Sequence, residues 1–186
     1  AAAQAMAPYL GESTLLMSLQ NGVDNADVLA RHVCCRVLPT AVYVAVALGA
    51  AGQVLHFGRG DLAIGALPGG AASSVPMWPT LHSVVELFAS AEVPVRIVPD
   101  VAVELWAKLL VNCAYNAISA LAQLPYGRLA AMHGIRDMQR DVVLEVIAVA
   151  AASGVTLSLP ASLESVAKIA AAMPAQRSST AQDMAR

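Results

Sequence analysis

Charge is scarce in this chain. Only 13% of its 186 residues are Asp, Glu, Lys or Arg, and the 11 basic side chains are nowhere clustered. Net charge is −2 and the isoelectric point about 6.1. No basic face is therefore available for phosphate backbones or anionic lipid, and nucleic acid is not expected as a partner. Cysteine is sparser still, with Cys34, Cys35 and Cys113 alone. An adjacent pair plus one is neither a disulfide framework nor a zinc spacing, which suits a reducing cytoplasm. His32, His56, His82 and His133 are scattered, and neither Cys-x-x-Cys nor His-Glu-x-x-His occurs, so no metal is expected. Also missing are G-x-G-x-x-G opening a helix, G-x-x-x-x-G-K-[ST] and a nucleophile elbow. Gly58-Arg59-Gly60 leads into an expected strand, where a phosphate cradle would need a helix.

What the chain has in abundance is apolar surface: 58% of residues are hydrophobic, only 4% aromatic, and the mean hydropathy is +0.62. The longest charge-free run lies between Arg36 and Arg59 and contains Pro39, Gly49, Gly52, Gln53 and His56. A membrane-spanning helix needs about 20 mostly apolar residues without such breaks. The run reads as two β-branched strands around a glycine turn, and no membrane partner is expected. The first residues, "AAAQAMAPYLGEST", read as the inside of a domain and not as a signal peptide. The length suffices for one large domain or one and a half small ones.

Along the chain, a helix (1–10) feeds a strand (14–20), then the loop "QNGVDN" and a short helix (24–32). Strands at 36–48 and 53–57 form an expected hairpin, and "LAIGAL" a further short strand after the turn "GRGD". A Pro-Gly-Gly and Ser-Ser loop (68–74) precedes the helix "WPTLHSVVELFASA" and the strand "VPVRIV". After Pro99 only helices are expected, at 101–123, 126–132, 134–152, 160–172 and from about 175. The fold class is therefore α/β followed by all-α, with domains at 1–99 and 100–186.

The segment "ELWAKLLVNCAYNAISAL" (104–121) sets Glu104, Lys108, Asn112 and Asn116 four residues apart in an otherwise apolar helix. Positions four apart drift by roughly 40°, so Lys108, Asn112 and Asn116 line about 12 Å of one face, and Ser119 and Gln123 continue it. One explanation is structural: Glu104 pairs with Lys108, and the asparagines satisfy nearby backbone. The other is a site. A lysine walled by leucines holds its proton less tightly, and asparagine amides bind hydroxyl or carboxylate oxygens without adding charge. One acid among neutral donors suits reduction of a carbonyl to an alcohol.

Three stretches, "SLQNGVDNADVL", "ELWAKLLVNCAYNAISAL" and "RSSTAQDM" (177–184), together resemble ketopantoate reductase (2-dehydropantoate 2-reductase). They match its QNG loop after a Rossmann strand, its lysine-asparagine-asparagine helix and its Ser-Ser-Met-x-Gln-Asp segment, in the family's order. The resemblance implies the second half of a Rossmann-type NADP-binding domain followed by an all-helical domain of the 6-phosphogluconate dehydrogenase C-terminal type. It implies NADPH as cofactor and a small 2-oxo acid as substrate, with 2-dehydropantoate reduced to (R)-pantoate for coenzyme A synthesis. Lys108 would be the general acid, and Asn112 and Asn116 would hold substrate oxygens. Asn21, at a strand's carboxyl end, would face nicotinamide and substrate, and Ser179 would bind the substrate carboxylate.

Each role has a plainer counterpart: Asn21 as a turn residue before glycine, and Ser179 as a helix N-cap. Asp183 would orient its segment. Thr180 replaces the family's methionine, and Tyr126 in "LPYG" stands where some members carry an asparagine. The glycine-rich nucleotide loop would precede residue 1 and a further carboxylate would follow Arg186, so the chain alone is not expected to catalyse. Two other functions remain open: a reductase of another 2-oxo acid, and a noncatalytic helical module for dimerisation. A homodimer fits any of these.

Overall fold

The computed structural model describes residues 2–65 and 77–185, and the chain divides into two compact units, Ala1–Leu105 and Trp106–Arg186. The first unit is α/β. Helix α1 (Ala2–Met6) gives way to a 3₁₀ turn (Ala7–Tyr9), so the expected helix over 1–10 is broken. Pro8 has no N–H to continue the α-helical ladder. Then follow β1 (Leu15–Ser18), α2 (Asn25–Ala30), β2 (Arg36–Leu48), β3 (Val54–Ile64), α3 (Met77–Ala89) and β4 (Val95–Ile97). The strands form one sheet in the order β1-β2-β3-β4, with β1–β2 and β3–β4 parallel and β2–β3 antiparallel.

The expected turn at "GRGD" is not a turn. Residues 54–64 form one strand, of which "LAIGAL" begins the last part. Pairing runs Tyr43↔Asp61, Val44↔Arg59, Ala45↔Gly58 and Val46↔His56, so Gly60 and Phe57 are extra residues on β3. These are β-bulges, and φ is +138° at Gly60 and +59° at Arg59. Glycine suits a bulge for the same reason it suits a turn, which is why sequence could not separate the two. The expected loop at 68–74 lies outside the described residues.

Alternating residues of β2 and β3 build two apolar layers. Leu38 and Ile64 pack with Leu81 and Val84 of α3 on one face. Ala41 and Ala63 pack with Val98, Val101 and Leu105 on the other, where the next helix begins. Leu38, Ile64 and Leu81 are at most 2% exposed, and each such side chain contributes about 2 kcal/mol of burial.

That next helix, α4 (Val101–Ala122), starts at Asp100, whose Oδ1 accepts the Ala102 N–H at 2.8 Å. Its Ala/Leu-rich sequence favours a helix throughout. Among the described residues it alone is long and apolar enough to cross a membrane. Here Leu110, Ala114, Tyr115, Ser119 and Ala120 of its second unit are all buried.

That second unit adds α5 (Tyr126–Ala130), α6 (Ile135–Ala152), α7 (Leu159–Ala172) and α8 (Ser179–Met184) to the remainder of α4. Its core is Leu110, Ala114, Tyr115, Leu129, Val143, Val166 and Ala170. A helix is expected from about 175, but residues 175–178 are not helical and α8 is only six residues long.

Candidate active site

Lys108, Asn112 and Asn116 rise along α4 at about 6 Å per step, and all three are half-buried. Of the two leucines expected beside Lys108, one, Leu110, belongs to the core of the helical unit, 1% exposed. Among the described residues, the side-chain amides of Asn112 and Asn116 make no hydrogen bond, so neither serves the backbone. The chain has only one other lysine, Lys168. That residue is exposed and paired with Glu164 at 2.7 Å.

The lower end of the stripe is engaged structurally. Ser119 is fully buried; its Oγ donates to the Leu124 carbonyl at 3.0 Å and accepts the Ser178 N–H at 3.2 Å. Gln123, at φ +51°, donates through Nε2 to the carbonyls of Ala120 and Ala181. Ser178, also fully buried, caps α8 by accepting the Ala181 N–H at 3.1 Å, and its hydroxyl donates to the Asn116 carbonyl at 3.4 Å. The capping alternative for Ser179 thus falls to its neighbour. Ser179 is exposed on the first turn of α8, on the segment pinned to α4 at Asn116 and Ser119. Sequence reasoning missed Ser178, although a Ser-Ser pair before a short helix permits either register.

In the sheet unit, Glu104 is bound by partners that its spacing from Lys108 did not suggest. Arg96 of β4 grips it bidentately, Nη1 to Oε1 at 2.9 Å and Nη2 to Oε2 at 2.7 Å, and the Tyr43 hydroxyl donates to Oε2 at 2.5 Å. Arg59 lies 4.3 Å from the Tyr43 ring centroid and pairs with Asp61 at 2.8 and 2.9 Å. The Arg96 hydrogen bonds, opposed by burial and aided by Tyr43, hold the Glu104 carboxyl below its ordinary range. Burial, then the bond to Glu104, pushes the Tyr43 phenol well above its ordinary value. These residues lie far apart in sequence, so periodicity carried no trace of the network.

Asn21 lies three residues beyond β1, exposed, in the loop at the strand's carboxyl end. Its backbone carbonyl accepts the Asn25 Nδ2 at 2.7 Å, a local turn bond that leaves its own amide unengaged. Tyr126 belongs to the helical core. Its ring is 4.6 Å from that of Tyr115, and burial, then Tyr115, pushes its phenol up to about 12. An apolar cleft of about 440 Å³ between α3 and β4 touches none of the expected site residues. No cluster of metal-binding side chains occurs among the described residues.

Residues 100–186 match the family profile "Ketopantoate reductase PanE/ApbA C terminal", and residues 1–69 match "Ketopantoate reductase PanE/ApbA". The chain belongs to the ketopantoate reductase family. The crystal structure of a PanE/ApbA family ketopantoate reductase from Ralstonia eutropha JMP134 is 46% identical with a TM-score of 0.85, covering 100% of this chain and 58% of that one. The 2-dehydropantoate 2-reductase of Halobacterium salinarum is 32% identical over 176 residues, 94% of this chain and 55% of that protein. That of Archaeoglobus fulgidus is 29% identical over 175 residues, 94% and 56% respectively. The chain thus spans about half the length of the curated relatives it matches. Within it, a small mixed sheet and a helical unit form the partial Rossmann-type plus helical fold of ketopantoate reductases.

Proposed function

We propose that this chain supplies the proton-donating and substrate-holding part of an NADPH-dependent reductase that converts 2-dehydropantoate to (R)-pantoate, the pantothenate branch of coenzyme A synthesis. Residues 1–99 act as the partial dinucleotide-binding domain and residues 100–186 as the substrate-binding and catalytic domain. The observation that carries this reading is the unengaged pair of amides at Asn112 and Asn116, in line with Lys108. Two asparagines inside an alanine-rich helix cost a few tenths of a kcal/mol each, and neither side chain repays it with a bond among the described residues.

A nicotinamide fits the chain at Asn21, whose amide is exposed and unengaged beyond the carboxyl end of β1. When bound, the reduced nicotinamide supplies a hydride to the carbonyl carbon. Lys108 gives a proton from Nζ to the carbonyl oxygen as that carbon becomes tetrahedral, and regains one from solvent afterwards. Asn112 and Asn116 donate hydrogen bonds to the substrate's hydroxyl and carboxylate oxygens, and the Ser179 hydroxyl adds a donor to the carboxylate.

The test is Lys108→Ala in the full-length protein carrying this sequence, followed by NADPH oxidation with ketopantoate. General acids contribute about a hundred- to ten-thousand-fold, so a loss of that size is expected. Turnover surviving within about tenfold would refute lysine acid catalysis. A panel of 2-oxo acids separates ketopantoate from other substrates.

A further inference from the structure

The Glu104 network has no part in the proton transfer, yet it holds the helix that carries Lys108. We infer that Glu104, bound by Arg96 and Tyr43, is a positioning residue that fixes the rotation of α4 and with it the aim of Lys108. The inference rests on the proton-donor reading of Lys108.

Glu104 precedes Lys108 by one helical turn. Three donors converge on its two carboxylate oxygens: both Arg96 Nη atoms and the Tyr43 hydroxyl. Tyr43 is itself held, since Arg59 stacks on its ring at 4.3 Å and Asp61 anchors Arg59. On the apolar side of the same turn, Val101 (0% exposed) and Leu105 (7%) pack against the sheet, and the Asp100 cap closes the helix start. The apolar contacts alone tolerate small rotations of a cylinder. The bidentate Arg96 pair does not, because its two parallel bonds fix orientation as well as distance. Rotating a helix by about 10° moves a side-chain tip about 6 Å from its axis by about 1 Å. A misplacement of that size can cost on the order of a hundredfold in rate.

The experiment is a mutant cycle between Glu104 and Lys108 in the full-length protein carrying this sequence, read as kcat and KM for ketopantoate. Glu104→Gln is expected to lower kcat about tenfold with KM within about twofold, a partial form of the misplacement cost. In the Lys108→Ala background it is expected to change kcat by less than about twofold, because the residue it aims is gone. Tyr43→Phe, which removes one bond of three, is expected to follow the same pattern with a smaller loss. It guards against a fold defect in Glu104→Gln. Arg96→Lys is expected to recover part of the kcat lost in Arg96→Met.

An equal loss of kcat in both backgrounds would mark Glu104 as merely structural and overturn the inference. So would an unchanged kcat in Glu104→Gln, Tyr43→Phe and Arg96→Met alike. If Lys108→Ala alone keeps its activity, the proton-donor reading fails first, and the positioning inference falls with it.

Discussion

Ser119→Ala tests the claim that the lower half of the α4 stripe is built for the fold. The hydroxyl sits at 0% exposure between two backbone groups, donating to Leu124 O at 3.0 Å and accepting from Ser178 N at 3.2 Å. Alanine leaves the buried Ser178 N–H and the part-buried Leu124 carbonyl without this partner. At about 1 kcal/mol for each lost bond, the expected cost is about 2 kcal/mol, more if neither group finds a substitute. In a chain of this size that lowers Tm by about 4–8 °C. Ser165→Ala is the control. Its hydroxyl also bonds a carbonyl, Ala161 O at 2.9 Å, but on the exposed face of α7, and a change within about 0.5 kcal/mol is expected. Chemical denaturation followed by circular dichroism compares the two. Amide exchange at Ala181 and Gln182 locates the damage, because α8 should loosen before α6. If Ser119→Ala behaves like Ser165→Ala, the pin between α4 and α8 does not exist as described.

Other outcomes follow from the same contacts. Gly127→Ala should destabilise the chain by about 1–3 kcal/mol, since a Cβ there would lie 2.9 Å from Pro174 Cβ and 3.0 Å from its carbonyl oxygen; thermal melts read the cost. Tyr126, with its phenol raised from 10.0 to about 12, stabilises the fold fully below pH 10, and that stability is lost as pH rises toward 12. Tyr126→Phe should flatten the alkaline fall in a pH series of denaturation curves. Glu104 works in the opposite sense. Its carboxyl is held below the ordinary 4.5, so its contribution is present above that pH and disappears as pH falls further. Glu104→Gln should therefore flatten the acid limb, and at the alkaline end it should also relax the upward hold on the Tyr43 phenol.

Much of the fold was legible because its signals are local. The β-branched run of β2, the Ala/Leu periodicity of α4 and the prolines and glycines between helices each act within a few residues. The errors arose where one local signal serves two structures. Gly58-Arg59-Gly60 bulges a strand where it suggested a turn, and Ser178 takes the cap that the Ser-Ser pair left open to Ser179. The candidate site divides in the same way. Lys108, Asn112 and Asn116 were visible because one helix repeats them at its own period. Glu104's true partners were invisible, because Tyr43 and Arg96 reach it only through the pairing of β2, β3 and β4.

Two unequal fates for residues on one face explain why the stripe is continuous in sequence yet not in function. A helix that enters a core can afford polar residues only where they find partners or meet a ligand. Ser119 and Gln123 find theirs in the backbone of α8 and its preceding turn. Glu104 finds its own in β2 and β4. Among the described residues, the amides of Asn112 and Asn116, between these positions in sequence, make no hydrogen bond. On the proposed reading, those amides are held ready for the oxygens of a small polar substrate.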